Sequence, residues 1–249
     1  MNPLQIKEKD PLYQFKHWGL MSWNGIIFMA VFMIFWGMCH NIPPMNPAFT
    51  PAEVAQIFRD DHNIFRLGMV VCMTFAVCYG IWGVYIGKVM EKVVGKNSIL
   101  IPIEIMGAEL TVVAVLVSCS FWLTAGYRPD LPDTQLQQLL DNAWMLMDTA
   151  YFVTSVQMFA LGAAFLSDWR EKPLVPKWVS WYGIFVGFAF IAECWMPFFY
   201  EGMFARNGYL NFWFEFPIWF IWCPLLSAFL IKALPRLKKE ALEEVKQAN

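Results

Sequence analysis

Six apolar runs leave this chain few ways to fold. They cover residues 19–40, 64–87, 98–125, 143–167, 178–200 and 210–234. Each reaches the roughly 20 residues that an α-helix needs, at ~1.5 Å per residue, to cross a bilayer core. At that depth water cannot satisfy the backbone, so a spanning segment must be a helix or part of a closed barrel. Continuous runs of this length read as helices. The expected fold class is all-α: a polytopic transmembrane bundle of six helices. Residues 1–18 form an N-terminal segment, 19–234 the transmembrane domain and 235–249 a charged tail. Only 15% of residues are charged, too few for an ordinary soluble surface. The net charge of -2 offers nucleic acid no basic footprint, so membrane lipid is the expected surroundings.

The basic residues orient the bundle. With the N-terminus on the cytoplasmic side, every Lys falls on that side, from Lys7, Lys9 and Lys16 to Lys246. The opposite side holds only Arg59, Arg66, Arg128 and Arg206. Lys and Arg accumulate on cytoplasmic flanks. Both termini are therefore expected in the cytoplasm, and the chain in a bacterial inner (plasma) membrane. The first run is too long for a signal-peptide core, and "FWGMCHN" offers no small-x-small cleavage site, so it is expected to remain as a helix.

The first two outer loops predict short amphipathic helices. In "TPAEVAQIF", Thr50 caps, Pro51 takes the first position and Glu53 completes a capping box. Val54, Ile57 and Phe58 make an apolar stripe. In "DTQLQQLL", Asp133 is the candidate cap and Leu136, Leu139 and Leu140 the stripe. A shift of 82 residues superimposes these stripes and lays Arg66 on Asp148, as a degenerate repeat of two helical hairpins would.

Ionisable side chains inside a membrane are costly and mark function by default. Glu104 and Glu109 fall in the inner half of the third run. His40, His62, Arg66, Asp148, Glu193 and Glu215 fall in the outer half and come from every run but the third. In sequential antiparallel hairpins these six are expected to converge on a polar chamber. Asp148, Glu193, Glu215 and Glu109 are the candidate ligand- or proton-binding groups, with Arg66 as counter-charge. The plainer reading of Arg66 and Asp148 is a structural ion pair. Pro197 cannot donate to the Glu193 carbonyl, so a kink is expected there, and again at Pro217 and Pro224 near Glu215.

His40 and His62 are the candidate metal ligands, but no HExxH or paired-His spacing accompanies them, so no metal is expected. Cysteines 39, 72, 78, 119, 194 and 223 have no CxxC spacing and read as small buried hydrophobes. No phosphate-binding Gly-rich loop or nucleophile elbow is present, and no cofactor is expected.

"AGYRPDLPDTQLQQLLDNAWMLMDTAYF", "PKWVSWYGIFVGFAF" and "NGYLNFWFEFPIWFIW" carry a resemblance. The "YRPD" step, the "P-x-W-V" start of the fifth run and the "NG" turn before an aromatic sixth resemble a group of uncharacterised bacterial integral membrane proteins. The likeness spans about Thr50 to Leu234 and implies a role in handling steroids and other hydrophobic compounds. "LNFWFEF" and the intramembrane acids resemble sterol isomerases of the emopamil-binding type, although the helix count differs and an intramembrane His is lacking. The resulting expectation is a subunit that binds or helps transport a hydrophobic or amphipathic, sterol- or lipid-like molecule. Its partners would be other membrane subunits or further copies of itself. An intramembrane enzyme of isomerase or oxidoreductase type and a purely structural subunit are the alternatives.

Overall fold

The computed structural model describes residues 10–248, and these are helical almost throughout. Lys7 and Lys9, used above for orientation, lie outside the described residues. Two short turns, Tyr13–Phe15 and Trp18–Met21, lead into α1 (Asn24–Gly37). Then come α2 (Pro51–Asp60), α3 (His62–Val94), α4 (Leu100–Tyr127), α5 (Asp133–Ala150), α6 (Phe152–Leu166), α7 (Lys177–Ala189) and α8 (Glu215–Ala248). A 3₁₀ turn, Ala192–Phe198, extends α7, and a π-helical stretch, Tyr209–Phe214, opens α8. Six helical stretches are long and apolar enough to cross a membrane, which makes this a multi-pass membrane protein.

The surface of the bundle agrees with lipid as its solvent. Along α4, Met106, Leu110, Val113 and Val117 are exposed at helical spacing and form one outward apolar stripe. Trp169, Trp178 and Trp181 are exposed near the lysine-rich end, and Trp195, Tyr200, Tyr209 and Trp213 near the other. Such aromatic girdles sit at the two membrane–water boundaries.

Lipid supplies no hydrophobic drive between helices, so close backbone approach through small residues holds the bundle. A Cβ built on Gly83 of α3 would stand 2.3 Å from the Ala108 Cβ of α4. One on Gly107 would meet Gln157 of α6 at 2.7 Å, and one on Gly25 of α1 would meet Ser227 of α8 at 2.5 Å. Aromatic rings fill the centre: Trp36 packs on Trp144 and Phe216 with centroids 5.4 Å apart in both pairs, and Trp122 on Trp144 at 5.5 Å.

Helix α2 carries the complete capping box. The Glu53 amide donates to Thr50 Oγ1, and the Thr50 amide to Glu53 Oε2 at 2.7 Å. Donation from the Thr50 amide and from the Thr50 hydroxyl, both to Glu53 Oε2, holds the exposed Glu53 carboxyl below the usual carboxylate range. The stripe of α2 lies against the first turns of α5, burying Val54 and Phe58 with Leu136 and Leu140. Asp133 does not cap, because Pro132 occupies that position. Its carboxylate accepts from Arg59 Nη2 at 2.7 Å, tying the two segments together. The segments differ also at their ends: α2 stops at Asp60 just before α3 begins, whereas α5 continues into the bundle as far as Ala150.

The last helix does not end at residue 234. It continues through Pro235 and buries Leu237, while Glu240 bridges Arg170 and Arg236. The charged tail is thus the last part of α8.

Candidate functional site

Three breaks in regular helix meet at one place. The first is Tyr151, where α5 gives way to α6. The second is the 3₁₀ turn holding Glu193 and Pro197. The third is the π-helical turn holding Asn211, directly before Glu215. The local causes differ. Pro197 was expected to kink an α-helix; instead the helix stops at Ala189 and continues as the tighter 3₁₀ form. Pro217 introduces no break within α8, because it falls in the first turn, where a missing N–H costs nothing. Irregular backbone at membrane depth is tolerated when buried in protein, and π-helical turns often mark functional sites.

Asp148, Glu193 and Glu215 converge here and are fully buried. Asn211 Nδ2 donates to Asp148 Oδ2 at 3.0 Å. The Glu193 and Glu215 carboxyls lie within interaction range of each other and of Asp148, and their oxygens have no hydrogen-bond partner among the described residues. The Tyr151 hydroxyl is buried and without a hydrogen-bond partner, within electrostatic reach of Glu193 and Asp148. Its ring is fixed by stacking on Phe190 at 5.1 Å and by Trp219 at 5.6 Å.

The buried cation near the acids is Arg206, and Arg66, the expected counter-charge, lies elsewhere. Arg66 is exposed, donates to Asn63 at 3.4 Å and lies over the Tyr127 ring, away from the acids. Arg206 is buried and donates to Asp141 Oδ1 at 2.5 Å. Its guanidinium lies over Trp144 and acts on Asp148 from nearby. The sequence signal for it is weak: a lone Arg in an outer loop ordinarily reads as solvated.

The two outer histidines stay apart from the acids. His40 Nε2 lies 2.6 Å from Asp61 Oδ2, and His62 Nδ1 lies 2.9 Å from the Arg59 carbonyl. Among the described residues no three His, Cys, Asp or Glu side chains are arranged to hold a metal ion. The six cysteines are free, and four of them are buried.

A polar file lies toward the lysine-rich end, separated from the acids by the Trp219 ring. The Tyr79 hydroxyl donates to Gln157 Oε1 at 2.8 Å, and Gln157 Nε2 donates to Glu104 Oε1 at 3.0 Å. Beside it, Thr111 and Thr154 hydroxyls meet at 2.7 Å. Trp219 packs between Tyr79 and Tyr151, at 6.2 and 5.6 Å. Glu104 in turn lies within reach of Glu109.

Glu109 belongs to a different space. It is exposed on α4 beside Gly80 of α3, where a built Cβ would come within 2.9 Å of its carboxylate. It lines a cavity of about 490 Å³ between the N-terminal turns, α3 and α4. The walls are apolar, from Trp18, Met21, Val77, Ile81, Val84 and Val112, while Lys16, His17 and Lys88 stand at the lysine-rich end. The Tyr85 hydroxyl donates to the Leu230 carbonyl at 3.1 Å and ties this wall to α8.

Comparison with protein-family models, with curated proteins and with solved structures finds no match to this chain. Fold and site together define a class: a six-helix membrane protein with a buried acid cluster and a separate amphipathic cavity.

Proposed function

We propose that this protein binds, and helps move, an amphipathic small molecule at the cavity between the N-terminal turns, α3 and α4. The lysine distribution orients that cavity toward the cytoplasm, with both termini on the same side of a bacterial inner membrane. One observation carries the reading: an apolar cavity of about 490 Å³ is lined by the Glu109 carboxylate toward one end and by the Lys16 and Lys88 cations toward the other. That volume suits a single drug-sized or steroid-sized ligand. Gly80, beside Glu109, and Lys88 are eight positions apart on one helix, or about 12 Å at the helical rise.

The occupant that matches is a stiff apolar body about that long. It carries an acidic group at the end facing Lys16 and Lys88, and a hydroxyl that donates to Glu109. A hydroxylated steroid carboxylate has this chemistry, in keeping with the sterol-like class suggested by the sequence resemblances. Val77 and Val84, exposed on the lipid-facing surface, rim the cavity and give such a molecule lateral entry from the bilayer.

The test is photo-crosslinking in lipid nanodiscs with a diazirine-bearing hydroxylated steroid carboxylate. Labelling should concentrate on the 77–88 segment of α3 and around Glu109, and should fall with excess unlabelled steroid. Even labelling of the whole lipid-facing surface would remove the reading.

A further inference from the structure

The buried acids are not explained by the cavity, which they do not line. Asp148, Glu193 and Glu215 are enclosed in apolar and aromatic packing, and the guanidinium closest to them, Arg206, is already bonded to Asp141. Three unpaired carboxylates in such a place would cost more than a folded chain's whole stability. The cluster therefore needs added positive charge to be neutral. No arrangement among the described residues suits a metal ion. A second observation points the same way: Asn211 Oδ1, on the amide that bonds Asp148, and the Tyr151 hydroxyl, within electrostatic reach of Glu193 and Asp148, are both buried and unpartnered.

We propose that Asp148, Glu193 and Glu215, with the Tyr151 hydroxyl, form an exchangeable proton-binding site, linked through Tyr79, Gln157 and Glu104 to Glu109 in the ligand cavity. The link to the cavity rests on the proposed function above; the proton site does not. Each loading step transfers one proton from hydronium to a carboxylate oxygen of the cluster, breaking the hydronium O–H bond, forming the acid O–H bond and leaving water, and release is the reverse. The approach from water is at Asp141, which is 43% exposed beside Arg206.

The titratable groups that face the cluster come from each packed element. From α5 and the break after it come Asp141 and Tyr151, from the 3₁₀ turn Cys194, from α3 Tyr79 and from α4 Cys119. The loop before the π-helical turn contributes Arg206, the cation among them. On the far side, Gln157 is a two-handed spacer. It accepts from Tyr79 and donates to Glu104, so the two ends of the file are mechanically coupled through one amide. Charge on Glu104 is felt by Glu109, and so by a ligand bound there.

The experiment is infrared spectroscopy of the full chain in lipid nanodiscs, titrated over pH in light and heavy water. Carbonyl stretches of protonated carboxylic acids are expected at neutral pH and should shift on deuteration. Carbon-13 labelling of glutamate carboxyls shifts every glutamic acid band together and so separates them from the Asp148 band. Glu193→Gln and Glu215→Gln should each remove one band, and Tyr151→Phe should shift the remaining bands without removing them. Absence of protonated-acid bands wherever the chain stays folded would overturn the proposal. So would bands that ignore these substitutions, or bands that vanish on adding sodium, which would make this an alkali-cation site. Adding the hydroxylated steroid carboxylate to the same samples separates the two readings. If the bands are present but unmoved by the steroid, the proton site stands and the coupling to the cavity fails.

Discussion

Gln157→Met should unlock the polar file while leaving the packing intact. Methionine matches glutamine in length and keeps the contact with Gly107, but it can neither accept from Tyr79 nor donate to Glu104. Two interhelical hydrogen bonds are lost. Such bonds in membrane bundles are worth about 0.6 kcal/mol on average and up to ~1.7. The loss should therefore be roughly 1–3 kcal/mol. It falls toward the upper end because the Tyr79 hydroxyl and the second Glu104 oxygen are then left without partners in the core. The assay is reversible unfolding in mixed micelles, run as a double-mutant cycle with Tyr79→Phe. Removing the stranded hydroxyl should recover part of the loss, so the double variant should be more stable than the sum of the singles by about 0.5–1.5 kcal/mol. Strict additivity, or a single-variant loss under about 0.3 kcal/mol, would show that Tyr79, Gln157 and Glu104 do not act as a connected chain.

Three further outcomes follow from the packing and the charges. Gly83→Ala forces apart α3 and α4, whose contact at Ala108 leaves no room for a methyl group, and should cost at least ~2 kcal/mol in the same unfolding assay. Arg206→Gln should destabilise the chain by roughly 1–3 kcal/mol, through the lost pair with Asp141 and the lost contact with Trp144, whereas Arg66→Gln should stay within about 0.5 kcal/mol; the reverse ranking would refute Arg206 as the structurally important cation. The Glu53 carboxyl is held low by the capping box, so its support of α2 is complete above the ordinary carboxylate range and disappears as the pH falls through its lowered value. Amide exchange at Val54 and Ala55 should therefore quicken in acid, and Glu53→Gln should flatten that dependence.

What was legible in the sequence was what a local pattern can carry. Long apolar runs set the six helices, and "TPAEVAQIF" set the capped helix α2. The depth of Asp148, Glu193 and Glu215 could be counted along their helices, and their convergence followed from simple hairpin order. The buried cation could not be read that way. Arg66 lies at the start of a helix whose outer face looks away from the acids, while Arg206 is folded inward by a loop with no periodicity to reveal it. Gln157 and Asn211 carry no charge, so a search for ionisable residues passes over them, although each holds an acid in place. The outcomes at Pro197 and Pro217 have a similar cause. Proline restricts local backbone, but whether the chain answers with a kink, a 3₁₀ turn or a helix start depends on neighbours distant in sequence.

The most direct measurement is equilibrium binding of a radiolabelled hydroxylated steroid carboxylate to the purified protein in nanodiscs, comparing wild type with Ile81→Trp, which fills the cavity, and with Glu109→Gln. Saturable binding that Ile81→Trp abolishes and Glu109→Gln weakens about tenfold, as loss of one charge-assisted hydrogen bond implies, is the predicted result. Binding that does not saturate, or that both variants leave unchanged, would contradict the cavity as the site of function.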